Sequence, residues 1–308
     1  MTTLRPWFRL FRLPNLLTAP GDPLAGFLLA TAGKVDQTQL VLLLSAMGAS
    51  FFLYLFGLAV NDIIDVEVDR VERPERPLPA GEITLPQARM AAIAAVLSGL
   101  NVALFPGKPA LIIAALLAAT ILLYNAKLKN RPVVGALSMG ACRGLSLLIG
   151  VAAAKPEWFM QWPTPVVLPA LIATIGLMFY VATFTALARH ETEQEKPVGF
   201  FRWVPFLVLL IVLPSLVTVT TALKQTAGVA PTVFVFLMCM ALMRVWLLGG
   251  PLYRFQAMPV IIGGYIRNLM MVQACFCVAS GVAGLWPAMT LLLLFSIFPR
   301  LSKSYYSS

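Results

Sequence analysis

The chain has 308 residues, 59% of them hydrophobic and only 12% charged, with a formal net charge of +10. A soluble domain carries about twice that charged fraction, so the composition excludes an ordinary soluble enzyme. It also leaves the basic excess no soluble surface on which to bind nucleic acid.

Apolar stretches of about 18 residues or more recur along the whole length, and a backbone in lipid must bond to itself. The expected fold class is therefore all-α: a multi-span transmembrane helical bundle forming a single domain over 1–308. The short alternating segments of a β-barrel are missing. The N-terminal stretch MTTLRPWFRLFRLPNLLTAPGDP is interrupted by Arg12, Pro14 and Pro20 and carries no small-residue cleavage signal, so it reads as an interfacial lead-in to the first span. Spans follow at roughly 15–32, 40–61, 86–105, 109–126, 133–154, 165–188, 203–223, 231–249 and 260–283. A last apolar run over 286–299 is either a tenth span or half of a broken one. Cys142, Cys239, Cys275 and Cys277 all fall in apolar stretches without metal-ligand company and read as small packing residues.

Loop charge alternates. Arg5, Arg9, Arg12, Arg70, Arg73, Arg76, Lys127, Lys129, Arg131, Arg189, Lys196, Arg202 and Arg254 collect on one side, against Lys34, Lys108, Lys155 and Lys224 on the other. That asymmetry makes the first side cytoplasmic by the positive-inside rule. The expected location is a bacterial-type inner or plasma membrane.

One window departs from this pattern. NDIIDVEVDRVERPERPLPAGE, residues 61–82, holds seven of the 13 acidic residues of the chain. Asp62, Asp65 and Asp69 stand at i, i+3 and i+7, within about 60° of one another on a helix, while Glu67 points away. Pro74, Pro77 and Pro79 end the helix and start an arginine-studded loop. Three carboxylates on one face near low dielectric repel one another and call for positive charge. Mg²⁺ is suited to such hard oxygens, since it takes one or two carboxylates plus waters and phosphate oxygens. Arg70, Arg73 and Arg76 suit phosphate recognition. The local chemistry reads as a metal-bridged diphosphate site at the cytoplasmic membrane face. The plainer alternative is a solvated loop that merely ends a span.

Asn61, Asp62, Asp65 and Asp69, followed by RPERPLPAG, resemble the first aspartate-rich motif of the UbiA superfamily of intramembrane prenyltransferases. The fragment YNAKLKN…MGACRGLSLLIG is similar to the EboC-like branch of that superfamily. The resemblance implies a helical bundle around a cavity open toward the cytoplasmic side and to lipid. An isoprenyl diphosphate would bind there with Mg²⁺, by its head at two aspartate-rich loops, its tail lying in an apolar tunnel. Departure of diphosphate would leave an allylic cation for an acceptor, often aromatic, to capture. Metal ligands would be Asp62, Asp65 and Asp69, with Asp62 and Asp65 central to catalysis; Asn61, Arg73 and Arg76 would orient or bind the diphosphate.

YNAKLKNRP resembles the family's tyrosine–lysine element, with Tyr124 facing the allylic carbon and Lys127 and Lys129 binding phosphate oxygens. The family places lysine four residues after tyrosine; here lysines fall three and five after. Arg143 lies inside the fifth span, where a cation needs a partner, either a carboxylate or the diphosphate. Arg12 and Asn15 resemble the family's polar entry to the first helix and are candidates for the acceptor site. The loop after the sixth span departs from the family: it reads TFTALARHETEQEKPVG, without aspartate. Glu191 and Glu195 could hold a second Mg²⁺ there, and His190 could serve as a base.

The expected function is thus a Mg²⁺-dependent integral-membrane prenyltransferase moving an isoprenyl group from its diphosphate to an aromatic or other small acceptor. The partners are those two substrates and membrane lipid. Two alternatives are a non-catalytic isoprenyl-diphosphate binder or transporter, and an intramembrane terpene cyclase.

Overall fold

The computed structural model describes residues 4–159, 167–188, 199–226 and 228–306. His190, Glu191 and Glu195 lie outside the described residues. Every regular element among the described residues is helical. The chain runs through α1 (Arg5–Leu10), α2 (Leu13–Leu16), α3 (Gly21–Thr31), α4 (Gln37–Glu72), α5 (Leu85–Leu104), α6 (Lys108–Leu123) and α7 (Pro132–Ala154). It continues through α8 (Leu168–Ala188), α9 (Val204–Ala222), α10 (Ala230–Gly249), α11 (Pro251–Phe255), α12 (Met258–Ala279) and α13 (Leu285–Tyr306).

Eight of these helices, with their end turns, are long and apolar enough to cross a membrane: those built on α4 to α10 and on α12. They answer to the second through ninth expected spans. The last expected run is the apolar part of α13, up to Ile297. The first expected span, 15–32, is not one helix. It breaks at residues 17–20 between α2 and α3, and the 11 residues of α3 cover about 16 Å at 1.5 Å per residue, roughly half a hydrocarbon core. Irregular backbone survives at such depth only inside protein, and Thr18 and Ala19 are buried at 1% exposure.

Helix α4 runs past the expected span and up to the prolines, as the aspartate spacing predicts: it has 36 residues and ends at Glu72, about 54 Å in all. A capping box starts it: Asp36 Oδ1 accepts from the Gln39 amide at 2.8 Å, and the Asp36 amide donates to Gln39 Oε1 at 3.2 Å. No proline follows until Pro74. The last turns therefore carry the three aspartates beyond the apolar part of the helix.

The buried side chains form two clusters. One gathers residues of α4, α5 and α6; the other gathers residues of α8, α9, α10 and α12. Helices α3 and α7 contribute to both: Leu147 and Val151 face one cluster, and Ile149, Ala152 and Ala153 the other. These two helices approach closely because of glycine. A Cβ at Gly150 would collide with the Pro23 carbonyl, and one at Gly26 with the Leu147 carbonyl. Small residues that let backbones meet are the usual glue between helices in lipid, where no hydrophobic force drives association.

A Gly150→Val substitution should therefore separate the α3–α7 seam and cost on the order of 1–3 kcal/mol, the range for overpacking a filled core. Thermal unfolding in detergent checks this. Gly263→Ala, where a Cβ meets nothing within 4 Å, should leave the midpoint unchanged or slightly raised.

Candidate active site at the end of α4

The three aspartates of α4 face a common set of cations delivered by three other segments. Asp62 and Asp69 are buried, at 5% and 3% exposure. Arg76, in the proline-rich loop after α4, donates to Asp69 Oδ2 at 2.5 Å and lies 3.7 Å from Asp62 Oδ1. Arg12 donates to the same Asp62 oxygen at 3.0 Å. Asn61 Nδ2 donates to it as well, at 3.2 Å. Lys129 pairs with Asp65 and donates to Asn61 Oδ1 at 3.3 Å. Glu67 turns outward to Arg70, and both are exposed.

Local chain geometry explains each cation. Arg12 sits in the left-handed region, at φ 43° and ψ 57°, as the residue before α2. For a side chain other than glycine that conformation costs roughly 1–2 kcal/mol, and the bond to Asp62 opposes the cost. Loop 73–84 is tied down by Arg9, which makes a two-pronged bond to Glu82 at 2.9 and 3.1 Å and donates to the Glu75 carbonyl. The position of Lys129 follows from a π-helical turn over Tyr124–Leu128, closed by the Lys129 amide on the Tyr124 carbonyl at 2.8 Å. An α-helix would set residue i+4 on the face of Tyr124. One extra residue in the turn brings i+5 there instead, and such bulges cluster at functional sites. Lys127 is exposed and forms no ion pair among the described residues. Of the two lysines the sequence leaves open, the structure brings only Lys129 to the aspartates. Arg73 caps α4 through its own amide on the Asp69 carbonyl at 2.9 Å, and its half-buried side chain forms no ion pair among the described residues.

Beneath this cluster lies a cavity of about 400 Å³. Arg12, Asn15, Asn61 and Tyr124 border it near the aspartates; Leu53, Leu58, Ile121, Phe184, Ile262 and Leu269 make its walls apolar. On α4 the lining runs from Asn61 back to Ser50, about 16 Å along the axis.

At the far end the cavity meets a buried polar network that the sequence reading did not identify. Arg143 Nε lies 3.0 Å from Asp22 Oδ2, and its Nη2 donates to the Thr18 carbonyl at 3.0 Å. Gln273 of α12 donates to the same carbonyl at 2.8 Å and to Asp22 Oδ1 at 2.6 Å. Ser50 donates to the Ala19 carbonyl at 3.2 Å and lies 2.6 Å from the Ser146 hydroxyl. Of the two partners open to Arg143, the structure supplies a carboxylate. The broken helix is explained by the same bonds, because the carbonyls freed at residues 18 and 19 are claimed by α7, α12 and α4. One signal was present in the sequence: Asp22 is an isolated acid in an apolar stretch, as Arg143 is an isolated base, and each needs the other.

A scan against family models matches residues 23–252 to the UbiA prenyltransferase family. The chain belongs to that family. Among curated relatives of this UbiA-family chain, the digeranylgeranylglyceryl phosphate synthase of Methanoculleus marisnigri is 32% identical over 155 residues, covering 50% of this chain and 54% of the relative. The chain thus spans little more than half the length of that relative. Among solved structures, a digeranylgeranylglyceryl phosphate synthase has the same fold at a TM-score of 0.65 and 22% identity, covering 91% of this chain and 99% of the other. A UbiA homologue from Archaeoglobus fulgidus bound to GPP and Mg²⁺ follows at a TM-score of 0.55 and 15% identity, covering 87% and 99%. The matched family region holds Asp62 through Lys129 and Arg143, whereas Arg12, Asn15, Asp22 and Gln273 lie outside it.

Among the described residues no three acidic, histidine or cysteine side chains converge on one point. Asp62 and Asp69, however, are hard-oxygen donors close enough for one guanidinium to span both. One or two carboxylates, with phosphate oxygens and water completing the shell, is the usual Mg²⁺ arrangement. The residues fit.

Breaking the Asp22–Arg143 pair one partner at a time should be costly. Asp22→Ala leaves an uncompensated buried cation and should lower stability by about 3–5 kcal/mol. The double change Asp22→Ala with Arg143→Met should recover a large part of that loss in detergent-solubilised unfolding measurements. A double-variant loss equal to the sum of the two single-variant losses would show the pair to be uncoupled.

Proposed function

We propose that this chain is a Mg²⁺-dependent membrane prenyltransferase that moves an isoprenyl group from its diphosphate to a small acceptor. What carries the reading is the juxtaposition of three carboxylates and three side-chain cations with an apolar cavity directly beneath them. Polar chemistry for a diphosphate and apolar space for its chain meet at one point. Family membership and the synthases among its relatives support the same reading.

Asp62, Asp65 and Asp69 are the residues that would hold Mg²⁺, which when bound would neutralise charge developing on the leaving group. Arg73, Arg76 and Lys129 take phosphate oxygens directly, with Lys127 at the rim. Asn61 orients Asp62 and Lys129. Glu191 and Glu195, in the loop after α8, are proposed as ligands of a second Mg²⁺. In the reaction, the allylic C1–O bond breaks and diphosphate leaves with the electron pair. Tyr124, on the cavity wall, presents its ring to the resulting carbocation. The apolar wall keeps out water that would quench it. An acceptor nucleophile held near Arg12 and Asn15 then bonds to C1 and gives up its proton to the departed diphosphate. Arg143, committed to Asp22, acts from the deep end of the cavity. The loop asymmetry of basic residues supports a site on the cytoplasmic side.

In purified membranes, Asp62→Ala should abolish transfer of a labelled isoprenyl group, and chelation should do the same reversibly, with Mg²⁺ restoring it. Full activity of the Asp62→Ala protein would remove the proposal. Product analysis without acceptor separates transfer from cyclisation, and an absence of diphosphate release would leave only a binder. Lys129→Met should lower kcat about 10²–10³-fold, the usual cost of one electrostatic donor, while Lys127→Met should change it little. A comparable loss at both lysines would contradict the role of the π turn. Glu191→Gln should raise the Mg²⁺ concentration needed for half-maximal rate; an unchanged titration would exclude that loop from metal binding.

A further inference from the structure

Two arginines lie inside apolar helices away from the cavity, and the proposed reaction uses neither. Arg244 is five residues before the end of α10, and Arg267 is nine residues after the start of α12. Both guanidinium groups rest on one ring of α13, with carbons 5.0 Å (Arg244) and 4.0 Å (Arg267) from the Phe295 centroid. Arg267 Nε donates to the Phe295 carbonyl at 3.0 Å. Arg244 Nε is buried with no acceptor. Neither side chain forms an ion pair with a carboxylate among the described residues.

Two like charges sharing one ring repel in a medium of low dielectric. The ring attracts each of them but neutralises neither. An anion between them resolves both the repulsion and the unfilled donor. Phosphate matches best, because its oxygens accept the planar fork of a guanidinium two at a time.

The surroundings indicate how the phosphate arrives. Ile262, Ile266 and Leu269 of α12 face the catalytic cavity. Arg267 follows Ile266, and a rotation of about 100° per residue takes it off that face toward α13. The side chains around the pair are exposed on the perimeter of the bundle: Met243 and Trp246 on α10, Leu293 on α13. In a membrane this perimeter is lipid. Since α4, α10 and α13 run in the same sense and α12 in the opposite one, the pair lies toward the end of the bundle that carries the aspartates, where arginine stems extend to the headgroup level.

We propose that Arg244 and Arg267 form a binding site for the phosphate of an anionic membrane lipid, in the groove between α10, α12 and α13. The headgroup phosphate bridges the two guanidinium groups, and the acyl chains lie along Met243, Trp246 and Leu293. Basic pockets between helices at a membrane face bind anionic headgroups in this way. The site is separate from the catalytic centre and does not depend on the proposed reaction.

Native mass spectrometry of the full chain, delipidated in detergent and titrated with phosphatidylglycerol, phosphatidylcholine or inorganic phosphate, tests it. One phosphatidylglycerol should be retained per chain. Phosphatidylcholine should bind at least ten-fold more weakly, and millimolar inorganic phosphate should not displace the lipid. The R244Q/R267Q double variant should lose retention at least ten-fold, with gel filtration confirming that it is folded. R244K/R267K keeps both charges but not the forks and should fall between the two; it carries the test if the glutamine variant misfolds. Unchanged phosphatidylglycerol retention in whichever variant folds would overturn the site. Displacement by inorganic phosphate would overturn the lipid as its ligand.

Discussion

Charge compensation around the end of α4 organises the molecule. Asp62, Asp65 and Asp69 share one helical face and would repel one another if left alone near lipid. Arg12, Arg76 and Lys129 hold them together, and each comes from a segment whose local conformation is unusual: a left-handed residue before α2, a proline-rich loop, a π-helical turn. Cations delivered by irregular segments can move when a stronger competitor arrives. On the proposed function a divalent ion with a diphosphate is such a competitor, since it would satisfy the carboxylates while the arginines and lysine find phosphate oxygens. The contacts that stabilise the protein alone would then be the contacts that receive the substrate.

A second charge pair works differently. Asp22 and Arg143 are deep in the bundle, and Gln273 and the Thr18 carbonyl fill most of the remaining hydrogen-bonding demand. Such a pair contributes little net stability, but removing either partner is expensive. It joins α3, α7 and α12 at a fixed register and ends the cavity with polar groups, so an apolar chain entering from the aspartate end meets a boundary about 16 Å along α4. Close packing at Gly26 and Gly150 makes the pairing possible, because a methyl group at either position would push α3 away from α7.

Much of this was legible in the residues. Apolar runs identified the helices, and the i, i+3, i+7 spacing identified the face on which the carboxylates gather; the family match over 23–252 bears out the resemblance carried by the aspartate-rich motif and the loop after it. What escaped depends on distant partners. The break at residues 17–20 had Pro20 as a local hint, yet the freed carbonyls are satisfied only by α4, α7 and α12. A periodicity of 3.6 cannot choose between Lys127 and Lys129, because the choice is made by one extra residue in a turn. Asp22 was visible as an isolated acid, but its pairing with Arg143 spans 121 positions of sequence and needed the fold.

Mn²⁺ substituted for Mg²⁺ reports on the centre without requiring turnover. Electron paramagnetic resonance of the purified chain with Mn²⁺ and a non-ionisable isoprenyl diphosphate analogue should show a bound ion whose signal carries phosphorus couplings. That signal should be lost in a variant with Asp62 and Asp65 both changed to asparagine. An ion bound just as tightly in that variant, or a wild-type protein that binds none in the presence of the analogue, would contradict the role assigned to the carboxylates of α4.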